Sequence, residues 1–251
     1  MVHFVGAGCG AADLITLRGK AHLEKADIII YAGSLVNPQL LDYAGENCVV
    51  HNSAYMDLDQ VIEVMEKAEA RGLVTVRLHT GDPSVYGAIR EQMDRLDQLK
   101  IEYDVCPGVS SFCGAAAALR AEYTLPDVSQ TVIITRMAGR TPVPARESIE
   151  ALAAHGSTMV IFLSTGLLEE LSKSLIQGGY SPETPAAIVY KASWEDEKVC
   201  RCTVSSLKET AEANNITKTA LITVGGFLGD DYSLSKLYDK TFETEFRKPR
   251  Q

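Results

Sequence analysis

Val74-Thr75-Val76-Arg77-Leu78-His79-Thr80-Gly81-Asp82-Pro83-Ser84-Val85-Tyr86-Gly87 is the stretch whose reading decides the fold. Residues 74–79 are a β-rich run that stops at a glycine–aspartate–proline turn. Behind the turn, Val85, Ile89, Met93 and Leu96 keep the spacing of one helical face. A strand, a tight turn and a helix in that order is half of a βαβ unit. Asp82 suits a helix N-cap and Pro83 a first helical position. A loop at the carboxyl end of a parallel strand also offers backbone amides and one carboxylate to a ligand. These residues alone leave both roles for Asp82 open.

The same alternation extends in both directions. Residues 3–5 read as a strand that ends in Gly6-Ala7-Gly8-Cys9-Gly10, and Thr16 caps a helix running through Leu17 and Ala21 towards Ala26. Strands follow at 27–31 and 49–50. Val61, Ile62, Met65 and Ala68 share one face of a helix ended by Gly72. Residues 101–106 are a further strand, and Pro107-Gly108-Val109-Ser110-Ser111 leads into a small-residue helix at 115–119. After a polar break at 122–127 the pattern restarts, with strands at 131–135, 159–163, 187–190, 199–204 and 221–224. Helices are expected at 145–155, 167–176 and 207–213. The expectation is an α/β protein of two α/β domains, 1–120 and 121–251, with mostly parallel or mixed sheets facing across a cleft, the usual place for a ligand.

Composition limits what such a chain does. At 251 residues, with 46% hydrophobic and 23% charged, it falls in the ordinary globular range, neither disordered nor disulfide-dense. The net charge of −9 argues against sequence-independent nucleic-acid binding, which needs clustered Lys and Arg. No apolar run approaches the ~18 residues of a membrane span, and the opening Met-Val-His-Phe-Val-Gly has no basic lead or signal-peptide core. The six cysteines show no C-x-x-C and no histidine at zinc-ligand spacing, so no metal site is expected. Cys200 and Cys202 alternate along a strand as packing residues. A cytoplasmic protein with reduced thiols is the expectation.

The first glycine turn invites a dinucleotide reading and fails it. That fingerprint is G-x-G-x-x-G with an acidic residue ending the second strand. Here the spacing is G-x-G-x-G, and the second strand ends Ile30-Tyr31-Ala32-Gly33-Ser34 without a carboxylate. No Gly-Lys-Ser/Thr follows, so it is not a P-loop either. A tight strand-to-helix turn is what remains. The Pro107 turn is likewise ambiguous alone: two hydroxyls and a glycine there bind polar groups or cap the Ala-rich helix.

In this order and spacing the three turns are no longer ambiguous. From the first strand to about Phe227 the chain resembles the tetrapyrrole methylase family, which uses S-adenosylmethionine in a fold unlike the common Rossmann-type methyltransferases. The shared features are the glycine-rich first turn with Leu14-Ile15-Thr16-Leu17-Arg18-Gly19, the G-D-P-x-x-Y-G segment at 81–87 and the P-G-V-S-S segment at 107–111. Residues 31–36, residues 135–144 (Thr-Arg-Met-Ala-Gly-Arg-Thr-Pro-Val-Pro) and Val189-Tyr190-Lys191-Ala192-Ser193-Trp194 look like one subgroup. It is the precorrin-4 / cobalt-precorrin-4 methyltransferases of cobalamin biosynthesis, which methylate ring carbon 11. One departure is Gly8-Cys9-Gly10, where many relatives have Gly-Pro-Gly; both glycines are kept.

The resemblance implies that S-adenosylmethionine lies between two domains and not on the first glycine turn. It carries cofactor contacts onto Thr80, Gly81, Asp82, Val85, Ser110, Ser111, Leu163, Ala192 and Ala220. Asp82 would face the positively charged amino-acid portion of the cofactor, whereas Leu163, ending a buried strand, also suits the core. Methyl transfer to carbon needs no enzyme nucleophile, so the lack of a Ser-His-Asp or Cys-His arrangement is no objection. Asp13 and His79 are the candidates for a base.

The implied substrate is a tetrapyrrole, a corrin precursor with acetate and propionate arms. An acidic protein needs a local basic wall to hold it, and Arg136, Arg140, Arg146, Lys191 and Arg18 are the candidates. Tyr86, Tyr190 and Trp194 either stack on the macrocycle or pack the core. A homodimer is expected, with neither nucleic acid nor membrane as partner. The competing readings are a methylase for another ring position or for a protein or RNA target, a nicotinamide-dependent oxidoreductase, and a non-catalytic tetrapyrrole carrier.

Overall fold

The computed structural model describes residues 1–250, which fall into two compact units. The first comprises residues 1–115 with 191–197; the second comprises 116–190 and the chain from 198 onward.

The first unit holds strands β1 (Val2–Gly6), β2 (Ile28–Tyr31), β3 (Val49–Asn52), β4 (Thr75–His79) and β5 (Tyr103–Cys106), all parallel, in the order β3-β2-β4-β1-β5. Alternation along β1 and β2 splits their side chains between two cores. Val2, Phe4, Ile28 and Ile30 pack with Val61, Ile62 and Met65 of α2 (Leu58–Glu69) and Leu96 of α3 (Ile89–Leu99). Val5, Ile29, Val76 and Leu78 pack on the other face with Leu23 of α1 (Leu17–Lys25) and Leu40. A fully buried aliphatic or aromatic side chain of this kind contributes about 1.5–3 kcal/mol. Thr16 caps α1 as expected, its Oγ1 accepting from the Gly19 amide at 3.0 Å.

One boundary differs. Asp82 and Pro83 do not open the next helix: residues 83–86 are a turn, and α3 begins only at Ile89, after Tyr86 and Ala88 have taken left-handed conformations (φ +55° and +50°). The helical spacing from Val85 is real only from Ile89 onward, because Asp82 spends its carboxylate elsewhere. The helix α4 (Ser111–Leu119) then carries the chain into the second unit.

The second unit holds β6 (Val132–Arg136), β7 (Thr158–Phe162), β8 (Pro185–Tyr190), β9 (Lys198–Thr203) and β10 (Ala220–Val224), in the order β6-β7-β10-β8-β9. Only β6 and β7 are parallel; β10 runs antiparallel to β7 and β8, and β9 antiparallel to β8, so the sheet is mixed. Met159, Ile161, Ile188, Ile222 and Val224 pack against α5 (Ile149–Ala153), α6 (Leu168–Gln177) and α7 (Leu207–Ala213). The helix expected over 145–155 is shorter. Residues Ala145–Glu147 form one 3-10 turn, and Ser148 then caps α5 by accepting from the Ala151 amide at 3.2 Å.

Candidate active site

In the first unit three strand-end turns lock together through their backbones. The Gly8 and Gly81 amides each donate to the other's carbonyl at 3.2 and 3.0 Å, and the Ala7 amide donates to His79 O at 2.7 Å. Gly6 and Gly108 meet so closely that a Cβ on Gly108 would stand 2.3 Å from Gly81 O and 2.8 Å from Gly6 Cα. The glycines of the first turn thus serve close backbone approach, which is why they look like a nucleotide fingerprint without being one.

Asp82 ties two of these turns. Its carboxylate accepts from the Ser84 amide at 2.9 Å, from the Ser84 hydroxyl, and from the Gly108 amide at 2.9 Å. Burial pushes its pKa up, but the bonds from Ser84 and Gly108 outweigh burial and hold it below the ordinary carboxylate range. The anion is therefore kept at neutral pH, held by a turn and not as a helix cap. Two residues before it, the Thr80 hydroxyl is buried without a hydrogen-bond partner. Val85 is half-buried in the same turn, Ser110 is buried, and Ser111 is half-buried at the start of α4.

Residues 191–197 join this unit at the first turn. Gly10 has no room for a Cβ, which would stand 2.3 Å from both Ala192 O and Trp194 Cδ1. Ser193 Oγ accepts from the Ala11 amide at 2.9 Å, and Asn37 Nδ2 donates to Gly10 O at 3.0 Å. Ala192 is buried. Lys191 pairs with Asp196 at 2.6 Å and lies 5.0 Å from the Trp194 ring centroid, so it is a loop brace as well as a basic candidate.

The second unit's candidates gather at one end of its sheet. Leu163 follows β7, Arg136 ends β6 and Ala220 opens β10; continued by two residues, the β10–β7 register brings Ala220 abreast of Leu163. The Ala220 carbonyl accepts from Thr165 Oγ1 at 3.2 Å. Leu163 is not core: it is 66% exposed and left-handed at φ +53°, a costly conformation for a bulky residue and one found at ligand sites.

Arg136 organises its own loop. Its guanidinium donates to Met137 O, Thr141 O and Pro142 O at 3.1, 3.2 and 2.8 Å. The buried Ser164 hydroxyl accepts from the Met137 amide at 3.0 Å and donates to Phe162 O at 2.7 Å, fixing the loop's root. Arg140 is exposed on this loop, whereas Arg146 is exposed but 3.6 Å from Glu147.

Asp13 and Arg18 are exposed near the first turn. His79 is different: it is 3% exposed, its ring centroid lies 6.0 Å from that of Phe4, and its Nε2 has no partner. Burial, with help from the Arg77 charge, lowers its pKa to about 3, so the imidazole is neutral at any physiological pH. Arg77 itself is a buried cation that the motif reading overlooked. Its Nε donates to Gln92 Oε1 and its NH1 to Ile30 O, both at 3.1 Å, and Gln92 Nε2 donates to Ala88 O at 3.0 Å. This chain of bonds anchors the far end of the turn that carries Asp82. The signal was available: an arginine in the middle of an apolar strand needs buried partners.

Against known proteins, the family model for tetrapyrrole (corrin/porphyrin) methylases matches residues 1–208. The chain is 54% identical to a cobalt-precorrin-4 C(11)-methyltransferase of Methanocaldococcus jannaschii, over 98% of this chain and 96% of the relative. It is 43% identical to a precorrin-4 C(11)-methyltransferase of a Sinorhizobium species, covering 98% of each. Among solved structures it matches the X-ray structure of a cobalamin biosynthetic cobalt precorrin-4 methyltransferase with a TM-score of 0.89 at 43% identity, over 91% of this chain and 96% of that one. Among the described residues no helix is long and apolar enough to cross a membrane.

Proposed function

The chain belongs to the tetrapyrrole (corrin/porphyrin) methylase family, and from that premise we propose that it transfers a methyl group from S-adenosylmethionine to ring carbon 11 of precorrin-4, with or without cobalt in the macrocycle, as a step of cobalamin biosynthesis. The observation that carries this reading is near-full-length identity to C(11)-methyltransferases acting on both forms.

The residues present fit the cofactor. The Thr80 hydroxyl is a buried orphan two residues before a carboxylate held ionised, and a ligand's polar group and ammonium would satisfy the two. When bound, S-adenosylmethionine supplies a methyl group on a positively charged sulfur. Thr80, Gly81, Asp82, Val85, Ser110, Ser111 and Ala192 of the first unit would hold it; the family resemblance adds Leu163 and Ala220 as candidates. The chain's task is positioning: aligning two reactants at near-attack distance is worth roughly 7–11 kcal/mol. Excluding water from a step that disperses sulfonium charge adds to this.

For the polycarboxylate substrate, Arg136 acts as the pin that shapes the 137–142 loop, while the exposed Arg140 and Arg18 carry the direct carboxylate contacts. Arg146 and Lys191, each already paired with a carboxylate, exchange that partner for a substrate arm. The protein works in the cytoplasm as a homodimer, with all six thiols free.

The test is incubation with methyl-labelled cofactor and each precorrin-4 form, followed by carbon NMR of the product. Label at ring carbon 11 is expected; label at another carbon, or none, overturns the reading. Calorimetry with S-adenosylmethionine, its demethylated product and NADH discriminates the classes, and binding of NADH alone would mean an oxidoreductase. Asp82→Ala should weaken cofactor binding at least about tenfold, the worth of a charged hydrogen bond. An unchanged dissociation constant would leave Asp82 as a turn tie only.

A further inference from the structure

We propose that His3, His22 and Asp104 form a binding site for a divalent transition metal ion of the Zn²⁺, Co²⁺ or Ni²⁺ type, on the first unit and away from the strand-end turns. The three residues come from three different elements. His3 stands on β1, Asp104 directly opposite it on the edge strand β5, and His22 in the last turn of α1. Each offers one ligating atom, and the three atoms all lie within 4.8 Å of one another.

The arrangement is already close to a coordination shell. His3 Nδ1 lies 2.8 Å from Asp104 Oδ1, and the His3 and His22 ring centroids are 4.0 Å apart. Two ligands about 2.1 Å from a shared metal stand about 3.0–3.4 Å apart. The His3–Asp104 pair therefore opens by a few tenths of an ångström when the metal takes the place of the proton between them. The wider pairs, at most 4.8 Å apart, close by up to about 1.4–1.8 Å. Side chains alone supply that motion: Asp104 is half-exposed and its carboxylate can turn once its bond to His3 opens, and His22 turns out of its stack, tilted by 30°, on His3.

The donor set selects the class of ion. Two imidazoles and one carboxylate suit first-row transition metals, whereas Mg²⁺ and Ca²⁺ prefer all-oxygen shells. The set also leaves positions for water, so the site is open. Arg18 and Lys25 on α1 are the nearby cations, both exposed and so screened by solvent and salt.

The site is separate from the proposed reaction centre. His3 precedes Gly6, at the carboxyl end of β1, by three residues, or about 10 Å of strand. What the metal does there is mechanical: it clamps the edge strand β5 and helix α1 to the central part of the sheet, and so stabilises the fold wherever the metal is present.

The full-length protein, purified with chelator, is dialysed against Co²⁺ or Zn²⁺ and the bound metal is counted by atomic emission, with Mg²⁺ as the contrasting ion. One equivalent of transition metal is expected, together with a rise in melting temperature and, for Co²⁺, a ligand-field absorption band. His22→Gln and Asp104→Asn should each lower the affinity about 10–100-fold, while His155→Gln, an exposed histidine of the second unit, should change nothing. Circular dichroism establishes that the variants are folded. No bound metal at millimolar concentration, or binding that survives both substitutions, overturns the site.

Discussion

The two units solve the same problem by opposite means. In both, candidate residues collect at one end of a five-stranded sheet. In the first unit the turns are held backbone to backbone, Gly6 against Gly108 and Gly8 against Gly81, with one carboxylate as the tie. In the second the loops are held by side chains: Arg136 on three carbonyls, Ser164 at the root and Thr165 on Ala220. Backbone contact leaves no slack, whereas side-chain pins allow a loop to be retuned without refolding the sheet. The cofactor contacts proposed at the first unit's turns would draw on the first property, and the carboxylate contacts proposed on the 137–142 loop on the second.

Gly108 is the tightest of these backbone locks. Gly108→Ala places a methyl group against rigid backbone at 2.3 Å and should cost about 3 kcal/mol or more of stability. Gly166→Ala in the second unit, where nothing lies within 4 Å, should be near neutral. Paired urea melts check this, and equal losses would end the distinction between backbone locks and side-chain pins.

His79 gives the next effect. Its folded pKa of about 3 lies below the ordinary 6.5, so the stability it contributes is whole above pH 6.5. As pH falls the unfolded chain takes up a proton that the native ring refuses, and that stability drains away until pH reaches the folded value. The loss should approach about 1.4 kcal/mol per pH unit inside that window, and His79→Leu should flatten it. Stability measured from pH 7 to 4.5 gives the slope; identical slopes in both proteins would contradict burial as the cause.

Arg136→Ala should release the 137–142 loop and raise KM for the tetrapyrrole about tenfold or more, the worth of lost charged hydrogen bonds, with little change in cofactor affinity. An unchanged KM would remove Arg136 as the pin of a substrate-binding loop. The smallest effect belongs to Glu169, which is exposed between Lys173 and Lys208 at 2.7 Å each. Glu169→Gln should leave the melting temperature within error at physiological salt.

Much of this was legible beforehand. Val2–Gly6, Ile28–Tyr31 and the helix carrying Val61, Ile62 and Met65 follow from periodicity, because one-sided burial imposes a period. The three turns were legible as a set through the family resemblance, which matches their order and spacing; each alone was ambiguous. Three things were not. Asp82 reads locally as a helix cap or a ligand carboxylate, and only the approach of Gly108 shows the tie that its carboxylate makes. Leu163 reads as the end of a core strand, but the strand stops one residue earlier and leaves it exposed. Arg136 reads as a free cation, and only the folding-back of its own loop reveals the three carbonyls that occupy it.

By itself the sequence determined the alternation of strands and helices, the placing of small and polar residues at strand ends, and a family resemblance strong enough to name a reaction. These are properties of neighbours along the chain, where residue type and spacing suffice. Tertiary structure alone decided strand order, the mixed direction of the second sheet and the partners of Asp82, Arg136, Arg77 and His3. Those depend on contacts between segments tens of residues apart, whose pairing is set by which backbones can approach and which buried polar groups must be satisfied, and no local pattern records that.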